Sequence, residues 1–123
     1  MLPARAPKKE KRASRWKSPA HCKFVRTEFA CANCGTTERA REAAHVRMGS
    51  GAGVGQKPDD WRVTPLCGGL DGCHATQHRI GEPEFWGIYE RAHGQSVEQL
   101  VASLIQASPK RREIEQAMKE RGL

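Results

Sequence analysis

Four cysteines fall into two ordered pairs, and their spacing constrains the chain more than any other feature. Cys31-Ala32-Asn33-Cys34 is a CxxC knuckle, in which two thiolates can face one ion with the backbone folded around them. Cys67 and Cys73 follow, separated by Gly-Gly-Leu-Asp-Gly. Zinc takes a tetrahedron of ligands, which four thiolates satisfy. The second pair is wider than the usual knuckle, and the glycines between its members make the wider turn physically possible. Plain buried thiols account poorly for one tight and one loose pair flanking a strand–loop–strand. A redox CxxC would sit in a βαβ pattern, which is missing here. The remaining cysteine, Cys22, is assigned to apolar packing.

A chain of 123 residues reads as one small domain. Such a chain buries a limited core and gains from a metal staple. No apolar run approaches the length of a membrane span. The N-terminus, MLPARAPKKEKRASRWK, has no apolar stretch after its charges and does not read as a secretory signal. A cytoplasmic location is therefore expected, where ordered cysteines suggest metal rather than disulfides.

The net charge of +7 points to a polyanionic partner. Residues 1–19 hold seven Lys/Arg and one Glu, so the excess sits in that arm and the rest is close to neutral. The arm reads as a disordered, basic tether. Lys8, Lys9, Lys11, Arg12, Arg15 and Lys17 are its candidate phosphate contacts, with salt-dependent affinity. Arg47 and Lys57 are further candidates, although Lys57 reads slightly better as simply exposed.

Residues 20–30 alternate partly in polarity and are expected to be extended. Residues 31–37 form the knuckle, and residues 40–48 form a first strand carrying His45. Residues 49–60, GSGAGVGQKPDD, form a glycine-rich loop. Residues 61–66 form a second strand, with Pro65 near its end. Residues 73–80 read as a helix ending near Gly81, and residues 83–93 as another, between Pro83 and Gly94. Ser96 and Gln99 make a capping box for a helix whose Val97, Leu100, Val101, Leu104 and Ile105 repeat at helical spacing. Ser108-Pro109 opens a last helix. The domain reading is an arm over 1–19, a zinc-stapled domain over 20–95 and a helical extension over 96–123.

His74 and His78 stand four apart, so on a helix they share a face and can bind one ion together. His45 lies on a different element and suits a general base. Asp60, at the far end of the glycine loop, can steady that base. The bland readings are a structural histidine in a strand, an Asp59-Asp60 turn, and a finger in which the two histidines join Cys31 and Cys34. The last leaves Cys67 and Cys73 without a role.

The ordered set Cys31-x-x-Cys34, Ala44-His45-Val46-Arg47, the glycine loop, Lys57-Pro58-Asp59-Asp60, Pro65-Leu66-Cys67, Cys73-His74 and His78 resembles phage and prophage HNH nucleases. It looks most like their recombination-enhancement branch, as do Gly81 and Phe85-Trp86. The match covers roughly residues 20–90 and is specific as an ordered set. The resemblance implies an α+β fold: a small ββα-metal (HNH) core with a four-cysteine structural zinc site, followed by C-terminal helices. It implies DNA cleavage leaving 5′-phosphate ends. By position, His45 matches the general base, His74 the helix ligand of a catalytic divalent ion (Mg²⁺, Mn²⁺ or similar), and His78 a further ligand seen in some members. Asp60 stands near the family's middle Asn. Many members carry His or Asp just before the base, where this chain has Ala44. The rival expectation is a non-catalytic zinc-binding DNA module. An RNA-binding zinc ribbon lacks a base-stacking platform.

Overall fold

The structure is a computed structural model, and it describes residues 15–51 and 57–123. Ser18 caps the first helix, α1 (Pro19–Glu28), by accepting from the His21 amide, and Pro19 occupies its first turn. The expected extended segment over 20–30 is therefore a helix. Its weak alternation is overridden by a start signal in which Ser precedes a proline with pre-set φ.

Two strands follow, β1 (Arg41–His45) and β2 (Val63–Cys67). They pair antiparallel, with Arg41 opposite Cys67 and His45 opposite Val63. Pro65 lies in the middle of β2, not near its end, opposite Ala43. A sheet of only two strands leaves each strand a free edge, where a missing N–H costs little. The Pro65 carbonyl instead accepts from the Ala32 amide of the knuckle at 2.8 Å.

Helix α2 (Cys73–Ile80) starts at the fourth cysteine and stops at Gly81, whose φ is 89°. Helix α3 (Glu82–His93) stops at left-handed Gly94. Helix α4 (Val97–Ala107) opens with the expected Ser96–Gln99 capping box. Helix α5 (Arg111–Glu120) begins after a Ser108-Pro109-Lys110 turn rather than at Ser108 itself. The described residues thus form a small α+β structure with one two-stranded sheet and five helices. None of those helices is long and apolar enough to cross a membrane.

One core joins all of these elements. Val25 of α1, Val46, Val63, Leu66, Phe85, Trp86, Leu104 and Ile114 belong to a single buried cluster. The segment 96–123 is thus not an appendage. Its apolar stripe packs on the same core as the sheet, and Arg121 reaches back to Asp59 at 2.6 Å and over the ring of Trp61. The other domain boundary also shifts. Residues 15–18, placed in the arm by charge alone, are held by the fold. The Trp16 amide donates to Asp59 at 2.7 Å, the Ser18 amide to Asp60 at 2.8 Å, and Trp16 stands against Trp61. Lys8, Lys9, Lys11 and Arg12 lie outside the described residues.

Candidate metal centre and histidine cleft

The knuckle, the end of β2 and the start of α2 converge on one point. The sulfur atoms of Cys31, Cys34, Cys67 and Cys73 all lie within 4.8 Å of one another. Cys34 and Cys67 Sγ are 3.8 Å apart. Four sulfurs around an ion at about 2.3 Å form tetrahedral edges of roughly 3.8 Å, so these four cysteines can hold a structural metal such as zinc. The wide second pair closes because of Gly72. A Cβ there would sit 2.3 Å from the Gly68 carbonyl oxygen and 2.5 Å from that of Cys67, so only glycine lets the turn fold this tightly.

Hydrogen bonds to sulfur support the cluster. The Cys73 amide donates to Cys67 Sγ at 3.2 Å, and Asn33 Nδ2 donates to Cys73 Sγ at 3.4 Å. Burial pushes the Cys31 thiol up, but amides of Cys34, Cys67 and Asn33 outweigh it and bring it down to about 7. Burial and the neighbouring thiols push Cys73 up to about 12. The pocket thus readily takes one negative charge and resists more, and a bound cation is what allows all four thiols to ionise.

Because Cys73 is the first residue of α2, the same cluster fixes the helix that carries His74 and His78. Their Nε2 atoms face each other at 3.2 Å. Two nitrogens bound to one ion at about 2.1 Å lie roughly 3.0–3.4 Å apart, so the pair has the spacing of two ligands of one ion. It is separate from the sulfur cluster. Among the described residues only the four cysteines bring three or more potential ligands together.

His74 and His78 share a cleft of about 470 Å³ with His45, Ala43, Arg47, Lys57 and Pro58. Lys57 is exposed. Ala43 and His45 reach this cleft, while Ala44 between them is fully buried, as strand alternation requires. The residue before His45 therefore faces the core and offers the cleft no ligand.

His45 Nε2 lies 2.9 Å from Asp60 Oδ1. An unprotonated Nε2 would set a lone pair against the carboxylate, so Nε2–H donates and Nδ1 keeps the lone pair. Arg15 Nη1 donates to the same Oδ1 at 2.7 Å, and its 3.4 Å approach to Nε2 is then a contact between two donors. Burial pushes the Asp60 carboxyl up, but His45, the Ser18 amide and Arg15 outweigh it and hold it below the ordinary carboxylate range. Arg15, expected to contact phosphate from the arm, is thus committed to Asp60. Asp59-Asp60 is more than a turn, because its two carboxylates anchor Trp16, Ser18 and Arg121.

Sequence reasoning missed several residues. Glu82 accepts from the Arg47 amide at 2.7 Å and the Met48 amide at 3.2 Å, clamping the chain as it leaves β1. Gln77, buried on α2, donates to Glu82 at 3.2 Å and to the His45 carbonyl at 3.4 Å. Glu42 accepts from His74 Nδ1 at 3.1 Å. For Arg15, the adjoining Trp16 and the Ser18-Pro19 start were the available signal that the arm ends early. Cys22 packs at the edge of the core as expected; burial first, and then the Asp60 carboxylate, push its thiol up to about 11.

A family described as protein of unknown function (DUF968) matches residues 3–110. No curated protein and no solved structure matches the chain.

Proposed function

The chain belongs to the DUF968 family of proteins of unknown function, and from that premise we propose a metal-dependent DNA endonuclease of the HNH (ββα-metal) type. The observation that carries this reading is the shared cleft. His45, held by Asp60, lines it from β1, while the paired His74 and His78 line it from α2. The order strand, strand, helix agrees with a ββα-metal core. Zinc on the four cysteines is the structural ion of this reading.

His45 acts as the general base. Asp60 fixes the tautomer by taking Nε2–H, so Nδ1 is the atom that accepts a proton from the water attacking phosphorus. The new P–O bond forms as the bond to the 3′ oxygen breaks, leaving a 5′-phosphate and a 3′-hydroxyl. Arg15 and Asp60 offset each other's charge beside the base. Arg47 and Lys57 bring positive charge to the phosphate from the cleft wall. His74 and His78 would hold a divalent ion, which would supply charge neutralisation at the phosphate and at the departing oxygen. Among the described residues no element presents a row of side chains suited to reading bases, which supports cleavage of low sequence specificity; the resemblance to phage and prophage HNH nucleases supports a place in phage or prophage DNA processing.

One observation favours a second reading, a zinc-bound module that binds DNA without cutting it. Among the described residues no third ligand converges with His74 and His78. Supercoiled plasmid separates the two. The nuclease converts it to nicked circles with Mg²⁺ or Mn²⁺ and not without them. Retarded but uncut plasmid with both ions supports the second reading and overturns the first.

A further inference from the structure

Glu42 stands on β1 opposite Leu66, two residues before Gly68 at the end of β2. Its carboxylate lies 3.1 Å from His74 Nδ1, on the far side of the ring from the Nε2 that faces His78. We propose that Glu42 is a positioning residue for His74. It takes the Nδ1–H, so the lone pair is fixed on Nε2 and directed at the point shared with His78. The proposal rests on the divalent-ion reading of the histidine pair.

Gly68 leaves the room that this placement needs. A Cβ on Gly68 would come 2.8 Å from Glu42 Oε1, 3.0 Å from its Cδ and 3.3 Å from its Cγ. The backbone does not require glycine there. The neighbouring Gly69 has a φ of 94°, whereas Gly68 lies outside the left-handed region. What glycine supplies at position 68 is room for the Glu42 side chain to lie across the end of β2 and reach α2.

The chemistry distinguishes this role from a surface ion pair. The Glu42 side chain is 55% exposed, so its attraction to His74 adds little to folding. An imidazole ligand whose other N–H is held by a carboxylate is fixed in tautomer and orientation and is a more basic donor. Loss of such a partner typically costs about 10–100-fold in metal affinity. Ion affinity should therefore move while stability stays.

Ni²⁺, which binds imidazole well, is the probe. It is titrated calorimetrically into zinc-loaded full-length protein, alongside zinc content and thermal midpoint. Glu42→Gln and Glu42→Ala are expected to weaken Ni²⁺ binding about 10–100-fold with both controls unchanged. Gly68→Ala is expected to weaken it in the same direction. Combined with Glu42→Ala it should add little, because both act through one contact. ¹⁵N imidazole shifts of zinc-loaded protein without added Ni²⁺ should place the His74 proton on Nδ1 in the wild type and redistribute it in Glu42→Ala. If His74→Ala abolishes Ni²⁺ binding while the Glu42 variants bind like wild type, the proposal fails and the divalent-ion reading survives. If wild-type protein binds no Ni²⁺ beyond its zinc, both fail.

Discussion

His45 donates from Nε2 to Asp60 Oδ1 across 2.9 Å, joining two positions on either side of the glycine-rich loop. That bond decides which ring nitrogen has a lone pair, and Asp60 is itself held by Arg15 and the Ser18 amide.

Replacing Asp60 with Ala frees the imidazole to rotate and change tautomer. The nicking rate should fall by about 10²-fold or more, the scale on which positioned base catalysis acts. Asp60→Asn keeps an oxygen acceptor and should retain more activity. Arg15→Ala removes a donor to Asp60 but leaves the His45–Asp60 hydrogen bond in place, and should fall between them. Initial rates on supercoiled plasmid give the order. Equal rates for Asp60→Ala and wild type would remove Asp60 from the mechanism.

The sulfur cluster anchors α2 through its first residue, so metal loss should disarm the histidines as well as destabilise the fold. Cys67→Ser and Cys73→Ser are expected to lose zinc, lower the thermal midpoint and abolish nicking even with Mg²⁺ in excess. Atomic absorption and calorimetry check this. A zinc-free variant that still cuts at the wild-type rate would contradict the coupling.

Glu82 should matter although it lies outside the cleft lining. Its carboxylate satisfies the Arg47 and Met48 amides and Gln77. Glu82→Ala should cost about 1.5–3 kcal/mol in urea unfolding, as expected for hydrogen bonds to a charged group. It should also slow nicking, because the chain carrying His45 loses its clamp.

His21 is fully buried, with Nδ1 2.8 Å from Ser108 Oγ and Nε2 without a hydrogen-bond partner among the described residues. Burial pulls its proton affinity down, against a smaller opposite pull from Asp60. The unfolded chain therefore binds a proton more readily than the folded one. Stability is full above the unfolded imidazole value, about 6.5, and declines as pH falls below it. His21→Asn should flatten that part of the curve. Urea midpoints between pH 7.5 and 5.5 test it, and parallel curves for variant and wild type would refute it.

The sequence was most legible where short-range chemistry dictates structure. Gly81 and Gly94 end their helices, Ser96 and Gln99 cap α4, and the four cysteines meet as their spacing implied. It was less legible where distant segments decide. The alternating residues 20–30 become helical once Ser18 and Pro19 start the turn. Arg15 looked like one more cation of a basic arm because its partner, Asp60, is 45 residues away. The C-terminal stripe gave the helices of 96–123 but not the surface they cover, which is the core under the sheet. Glu42 is a lone acidic residue in a strand until the fold of α2 brings His74 to it.

The most direct measurement is the nicking rate of His45→Ala beside its zinc content. The account predicts wild-type zinc, a wild-type thermal midpoint and loss of nicking with both Mg²⁺ and Mn²⁺. A His45→Ala protein that holds its zinc and nicks plasmid at the wild-type rate would contradict it.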